Sequence, residues 1–227
     1  GRMLECQASI GASLYPIHGD SRTDLMKNAD IALYAAKAAG RSKLKIFRSE
    51  MRHEMQKRAS MLALARGALK QKRILPYYQP KIELLSGRVA GFEALLRWRH
   101  PRKGIQTPDT VAAAFEDLTL AAEISDRMVE GVIADLSRWR DQGVEFGHVA
   151  INAAAAEFRR GDFAEQLLER LHKAAVPTSC LQVEVTETVF LGRGAEYVER
   201  ALKTLNAAGV RIALDDFGTG FASLAHL

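Results

Sequence analysis

The chain has 227 residues, of which 48% are hydrophobic and 26% are charged, values that are ordinary for a soluble globular protein of one or two domains. Its apolar runs are short and interrupted by charge, so neither a transmembrane helix nor a signal peptide is expected. The formal net charge of +5 is compatible with an anionic ligand. The sequence contains no long run of lysine and arginine, so binding to DNA or RNA polymers is not favoured. Cys6 and Cys180 lie outside any CxxC pattern, so we expect two reduced thiols in a cytosolic protein.

The hydrophobic pattern of the first 75 residues or so predicts a small strand-and-helix region followed by a long helix. In chain order the predicted elements are a strand over 7–15, a turn over 16–20, a helix over 23–39 that Gly40 ends, and a helix over 50–73. The helix over 50–73 is amphipathic and strongly charged, as is typical of a connection between two domains. Pro76 is expected to end it.

Strand and helix patterns alternate after residue 75. The predicted strands are 77–85, 88–98, 148–153, 180–186 and 210–216, and the predicted helices lie around 125–141, 163–171 and 198–205. This alternation predicts a mainly parallel sheet with helical crossovers, which places functional residues at the carboxyl ends of the strands.

Oxygen-bearing side chains recur at the ends of four of these strands. In 88–98, Glu93, Leu95 and Arg97 face away from the bulky apolar residues, because side chains alternate along a strand. The same alternation puts one polar residue on the corresponding face of each later strand. The set is Glu93, Asn152, Glu184 and Asp215, with Asp216 where the chain leaves the last strand.

A single inward acid is most often a hydrogen-bonded structural group. Several acids on successive strands cannot neutralise one another, because buried carboxylates repel and lose hydration. A cation resolves this, and oxygen donors without a local histidine or cysteine cluster indicate Mg²⁺ or Mn²⁺. The adjacent Asp215 and Asp216 are placed to bridge to a second ion, and two ions suit in-line displacement at phosphorus.

Two further features allow a structural or a functional interpretation. The glycine-rich stretch 215–220 is either a plain strand-to-helix turn or a mobile loop that couples metal occupancy to substrate binding. Glu187 is either an exposed acid at a strand end or the group that holds this loop.

These motifs, in this order, resemble the EAL domain family. Glu93-Ala94-Leu95-Leu96-Arg97-Trp98 is similar to the motif that names the family, and Tyr78-Gln79-Pro80 resembles its opening strand. The later matching motifs are Ile151-Asn152, Glu184-Val185-Thr186-Glu187 and Asp215-Asp216-Phe217-Gly218-Thr219-Gly220. Each motif is moderately specific, and the ordered set is highly specific.

The resemblance implies a modified (β/α)8 TIM barrel that hydrolyses cyclic-di-GMP to the linear dinucleotide pGpG. It implies metal ligation, with two ions of Mg²⁺ or Mn²⁺, by Glu93, Asn152, Glu184, Asp215 and Asp216. It implies substrate contacts for Gln79, Leu95 and Arg97, with Arg97 at a phosphate. Catalysis would depend on Glu93, Asp215, Asp216 and Glu187, the last organising the loop over 216–221.

Residues 7–47 resemble the end of a GGDEF domain, the diguanylate cyclase-like fold. The predicted organisation is therefore a GGDEF remnant over 1–49, a linker helix over 50–73 and the first part of an EAL domain over 74–227. The GGDEF signature loop is not in this sequence, so no cyclase activity is expected from it. The resemblance is compatible with a homodimer through the EAL domain, and with sensory or membrane-anchored segments upstream in a cytoplasmic protein.

About five strands are predicted after residue 75, too few for an eight-stranded barrel, which needs roughly 250 residues. We therefore expect an incomplete barrel that is inactive alone, within a longer phosphodiesterase. Two alternatives stay open: a non-catalytic cyclic-di-GMP receptor or scaffold, and a metal-dependent barrel that acts on another phosphate ester.

Overall fold

The computed structural model describes residues 7–159, 161–190 and 194–215. The chain divides into two compact units, residues 1–63 and 64–227.

The first unit pairs two short strands with a helix. Its elements are β1 (Ile10–Ala12), α1 (Arg22–Ala38), β2 (Leu44–Ile46) and the beginning of α2 (Ser49–Lys70). β1 and β2 pair in parallel, and Gly11 lets α1 approach them closely, since a Cβ there would lie 2.1 Å from the Leu33 nitrogen. Ser21 caps α1 by accepting a hydrogen bond from the Asp24 amide. Gly40, with φ of 99°, follows the end of α1 as predicted.

The long helix α2 confirms the helix predicted over 50–73, but the reason given for its end was wrong. α2 ends at Lys70, and Lys72 then adopts a φ of 51°, which turns the chain out of the helix. Pro76 instead lies within the next strand, where it is paired with Leu96.

The second unit is a mixed α/β structure. Its strands in the described residues are β3 (Ile74–Ile82), β4 (Val89–His100), β5 (Gly104–Gln106), β6 (His148–Asn152), β7 (Leu181–Thr186) and β8 (Arg211–Asp215). Its helices are α3 (Leu118–Asp141), α4 (Ala155–Phe158), α5 (Phe163–Lys173) and α6 (Ala195–Ala207), with short 3₁₀ helices over Pro108–Glu116, Thr178–Cys180 and Glu187–Phe190. β5 and the 3₁₀ helix that precedes α3 have no counterpart among the elements predicted from the sequence.

The sheet has the order β3-β4-β6-β7-β8, with β5 paired to the other end of β4. β3 runs antiparallel to β4, while β4, β6, β7 and β8 are parallel. The parallel pairs are connected through helices, as the alternating pattern predicted. Within the described residues the sheet does not close into a barrel.

The core lies between this sheet and its helices. Asp117 caps the beginning of α3, since its carboxylate accepts hydrogen bonds from the Thr119 and Leu120 amides at 3.1 Å. The buried residues of α3 and of the strands share one apolar cluster, whose members include Val129, Val132, Leu136, Val149, Ile151, Val183 and Val185. Burying each such side chain contributes about 1.5–3 kcal/mol. This packing fixes the strand faces, so the opposite face carries the polar residues.

In the described part of the chain, no helix combines the length and apolar character that crossing a membrane requires.

Candidate active site

Four neighbouring parallel strands bring four of the predicted ligand residues to one face of the sheet. Glu93 of β4 is in register with Ala150 of β6, two residues before Asn152 on the same face. Asn152 is in register with Glu184 of β7. Asp215 ends β8, in register with Thr186, which follows Glu184 on its own face. Glu93, Asn152, Glu184 and Asp215 therefore share one face of the sheet on adjacent parallel strands, with Glu93 inside β4 rather than at its end.

Glu93 and Asn152 are in direct contact. The Asn152 amide nitrogen donates to the Glu93 Oε1 atom at 2.9 Å. An asparagine that donates through nitrogen retains its carbonyl oxygen as an acceptor. The pair therefore offers both carboxylate and amide oxygens at the junction of β4 and β6, the donor types that hard cations prefer.

Glu184 has partners that the sequence analysis did not foresee. Its side chain is 8% exposed, and its Oε1 atom accepts hydrogen bonds from the Lys81 ammonium and, at 2.8 Å, from the Gln182 amide. Lys81 thus supplies Glu184 with a positive charge from within the chain, so the burial of this acid does not by itself require an added cation. The contact joins β3 to β7, strands that β4 and β6 separate in the sheet.

A second polar group lies on the same face, nearer the start of the parallel strands. His148 is buried, and its Nδ1 atom lies 3.2 Å from a guanidinium nitrogen of Arg211. Burial lowers the pKa of His148, and the positive charges of Arg211 and Lys81 lower it further. Gly91 on β4 makes room for this ring, since a Cβ there would lie 2.8 Å from its Nδ1 atom and 2.5 Å from the His148 carbonyl oxygen.

The predicted substrate residues lie on β3 and β4, the strand that carries Glu93. Gln79 is in register with Glu93 across the β3–β4 ladder, and Leu95 with Tyr77. Gln79 is exposed, while Leu95 and Arg97 are half-buried. The Arg97 guanidinium donates to the Leu96 carbonyl at 2.8 Å.

β3 is fixed to α3 by a network that sequence reasoning missed. The Tyr78 hydroxyl donates to the Asp135 carboxylate at 2.6 Å, and Arg138 donates to the other oxygen of that carboxylate at 2.5 Å. The Tyr78 ring meets Trp139 edge to face at 4.7 Å. Alternation along β3 indicates only that Tyr78 faces away from Gln79. The contact of Tyr78 with Asp135 could not be predicted without knowing where α3 lies.

Some predicted site residues lie outside what the structure describes. They are Asp216, the glycine-rich loop that follows it and the side chain of Glu187. Among the residues that are described, no three histidine, cysteine, aspartate or glutamate side chains converge closely enough to hold a metal ion. The donor chemistry of Glu93, Asn152, Glu184 and Asp215 nevertheless fits a hard divalent cation, since all are oxygen donors on one face of adjacent parallel strands.

Comparison with known proteins gives two family matches. The family described as "EAL domain" matches residues 63–227, and "Diguanylate cyclase, GGDEF domain" matches residues 1–43. Similar relatives include the bifunctional diguanylate cyclase/cyclic di-GMP phosphodiesterase MucR of Pseudomonas aeruginosa, 36% identical over 99% of this chain and 33% of MucR. The cyclic di-GMP phosphodiesterase NbdA of the same organism is 33% identical over 100% of this chain and 29% of NbdA. The chain thus spans about a third of the length of these two relatives.

A solved structure, that of the PaMucR phosphodiesterase in complex with c-di-GMP, is also similar. It superposes with a TM-score of 0.67 and 32% identity, covering 74% of this chain and 67% of that one. This likeness identifies the open sheet as part of a TIM-barrel-like α/β fold, which confirms the predicted fold class.

Proposed function

Because the chain belongs to the EAL domain family, which it matches over residues 63–227, we propose that it forms part of a phosphodiesterase that hydrolyses cyclic-di-GMP to pGpG. The observation that carries the proposal is the alignment of Glu93, Asn152, Glu184 and Asp215 on four neighbouring parallel strands. MucR and NbdA, both named as cyclic-di-GMP phosphodiesterases, support the choice of substrate.

We assign Mg²⁺ or Mn²⁺ binding to Glu93, Asn152, Glu184, Asp215 and Asp216, with two ions in the intact domain. When bound, such ions polarise a phosphoryl oxygen and lower the pKa of a coordinated water. The contact between Asn152 and Glu93 holds the carboxylate of β4 against β6, which orients one member of this set before any ion arrives.

Substrate binding is assigned to Gln79, Leu95 and Arg97. The register of Gln79 with Glu93 puts a neutral hydrogen-bonding side chain beside the proposed ligand set. Arg97 supplies a guanidinium, which matches phosphate geometry, on the same face of β4 as Glu93. Glu187 is assigned to the loop over 216–221, which it would hold by accepting hydrogen bonds.

The remaining assignments concern the whole protein. We propose a cytoplasmic catalytic region that signals through cyclic-di-GMP, pairs as a homodimer through the EAL domain and follows GGDEF and sensory domains. The GGDEF match over residues 1–43 supports the upstream domain. The predicted boundaries at residues 49 and 73 remain part of this proposal.

A second candidate is a receptor that binds cyclic-di-GMP without hydrolysing it. One observation favours it: Glu184 already has a cationic partner in Lys81, so its burial does not by itself require a metal ion. A receptor would retain nucleotide binding while losing any dependence on divalent ions.

The test is cyclic-di-GMP hydrolysis by the full-length protein, followed by chromatographic detection of pGpG with Mg²⁺, with Mn²⁺ and with EDTA. Hydrolysis is expected with either ion and not with EDTA. Glu93→Ala should lower the rate by at least ~100-fold, since it removes a proposed ligand. Nucleotide binding without any product would support the receptor and contradict the enzyme.

Glu199→Ala provides a matched control, because it removes a glutamate that pairs with Lys203 on the surface of α6. Its rate should stay within about twofold of the wild type, as expected for an exposed ion pair. An equal loss in both variants would show that Glu93 has no special role.

A further inference from the structure

The ion pair between Lys81 and Glu184 is the feature of the site that the proposed ligand set does not explain. Lys81 lies on the same face of β3 as Gln79, and its ammonium reaches Glu184 on β7 across the positions of β4 and β6. The Lys81 side chain is 32% exposed, whereas that of Glu184 is 8% exposed. The acid is therefore held within the fold, while part of the Lys81 side chain remains accessible to solvent.

Both partners of Glu184 use the same oxygen. Lys81 and Gln182 each donate to Oε1. A nearly buried ionised carboxylate without a positive partner is strongly unfavourable. Lys81 therefore provides a positive charge beside the nearly buried Glu184 carboxylate and directs it across the face of the sheet.

We propose that Lys81 is a positioning residue that pairs with Glu184 and releases this carboxylate when a divalent ion binds. The inference rests on the proposed function, since it takes Glu184 as a metal ligand. An ammonium in contact with the ligating carboxylate repels the incoming ion, because both are positive and the surroundings are largely desolvated. The flexible four-carbon stem of lysine allows the ammonium to move into solvent. Lys81 thus sets how tightly the site binds its ion.

The direct test is isothermal titration of MnCl₂ into the full-length protein without nucleotide. Lys81→Met keeps the apolar stem and removes the charge, so Mn²⁺ should bind about fivefold more tightly, the upper end of the range expected for a partly exposed ion pair. Lys203→Met is the matched control, because Lys203 pairs with Glu199 on the surface of α6. Its Mn²⁺ affinity should stay within about twofold of the wild type.

A second measurement uses only the wild-type protein, so it does not depend on the folding of a variant. Acetic anhydride acetylates accessible lysine amines, and mass spectrometry reports each site. Saturating Mn²⁺ should accelerate acetylation of Lys81 severalfold and leave that of Lys203 unchanged.

The outcomes separate this inference from the proposal beneath it. If the wild type binds no Mn²⁺, the metal assignment fails and the role of Lys81 fails with it. If Mn²⁺ binds but folded Lys81→Met shows no gain in affinity, only the role of Lys81 is overturned. Unchanged labelling of Lys81 in the presence of bound Mn²⁺ overturns that role as well.

Discussion

The Tyr78–Asp135 hydrogen bond is predicted to stabilise the edge of the sheet that carries Gln79 and Lys81. The 2.6 Å bond links β3 to α3, and the Asp135 side chain is 19% exposed. A hydrogen bond to a charged group contributes ~1.5–3 kcal/mol, and partial exposure favours the lower end of this range. Tyr78→Phe should therefore lower the free energy of unfolding by about 1.5 kcal/mol.

Urea unfolding of the 227-residue chain measures this loss. Tyr197→Phe is the control, because Tyr197 is 48% exposed and its hydroxyl should contribute less than ~0.5 kcal/mol. The double-mutant cycle of Tyr78→Phe with Asp135→Asn should show a coupling of about 1 kcal/mol, since the two side chains are in direct contact. A loss no larger than that of Tyr197→Phe, or no coupling, would refute the reasoning.

The same bond predicts how stability changes in alkaline solution. Burial, and then the hydrogen bond to Asp135, raise the pKa of Tyr78 well above its usual range. Because the folded-state value is higher than the unfolded value of about 10, this contribution is present below pH 10 and is lost as the pH rises above it. The difference between wild type and Tyr78→Phe should therefore shrink in urea titrations above pH 10.

Two further predictions concern the junction of β4 and β6. Burial is the first cause of the lowered pKa of His148, so the contribution of this residue to stability is full above its unfolded pKa of about 6.5 and is lost as the pH falls below that value. His148→Gln should therefore flatten the fall in melting temperature between pH 7 and pH 5. An unchanged slope would contradict this prediction. Gly91→Ala should destabilise the chain by ~2–3 kcal/mol, because the new Cβ would lie 2.5 Å from the His148 carbonyl oxygen. In α2, no atom beyond the backbone of the helix itself lies within 4 Å of a Cβ added at Gly67. Gly67→Ala should therefore stabilise the chain by about 0.5–1 kcal/mol, and the same sign in both variants would contradict the account.

The faces of the strands could be predicted because they follow from local alternation. β4 buries Ala94 and Trp98 on one side and carries Glu93 and Arg97 on the other, as the two-residue period requires. The apolar faces of β6 and β7 are buried in the same way. Such patterns need no knowledge of which strands are neighbours.

The partner of Glu184 could not be predicted, because it depends on the order of the strands. Lys81 is separated from Glu184 by 103 residues, and only the order β3-β4-β6-β7 and the antiparallel direction of β3 bring them together. Pro76 illustrates the opposite error: a proline near a helix end suggested a local cause, whereas it belongs to an edge strand, where proline is tolerated. In both cases the outcome depended on the order and direction of the strands in the sheet, which the neighbouring residues in the sequence do not reveal.

The most direct test of the account is the location of Mn²⁺ in crystals of the full-length protein, measured by anomalous diffraction. The account predicts an anomalous peak in contact with oxygen atoms of Glu93, Asn152, Glu184 and Asp215, with the Lys81 ammonium withdrawn from Glu184. A peak elsewhere, or no peak at a Mn²⁺ concentration that saturates binding in solution, would contradict the assignment of these strand ends as the metal site.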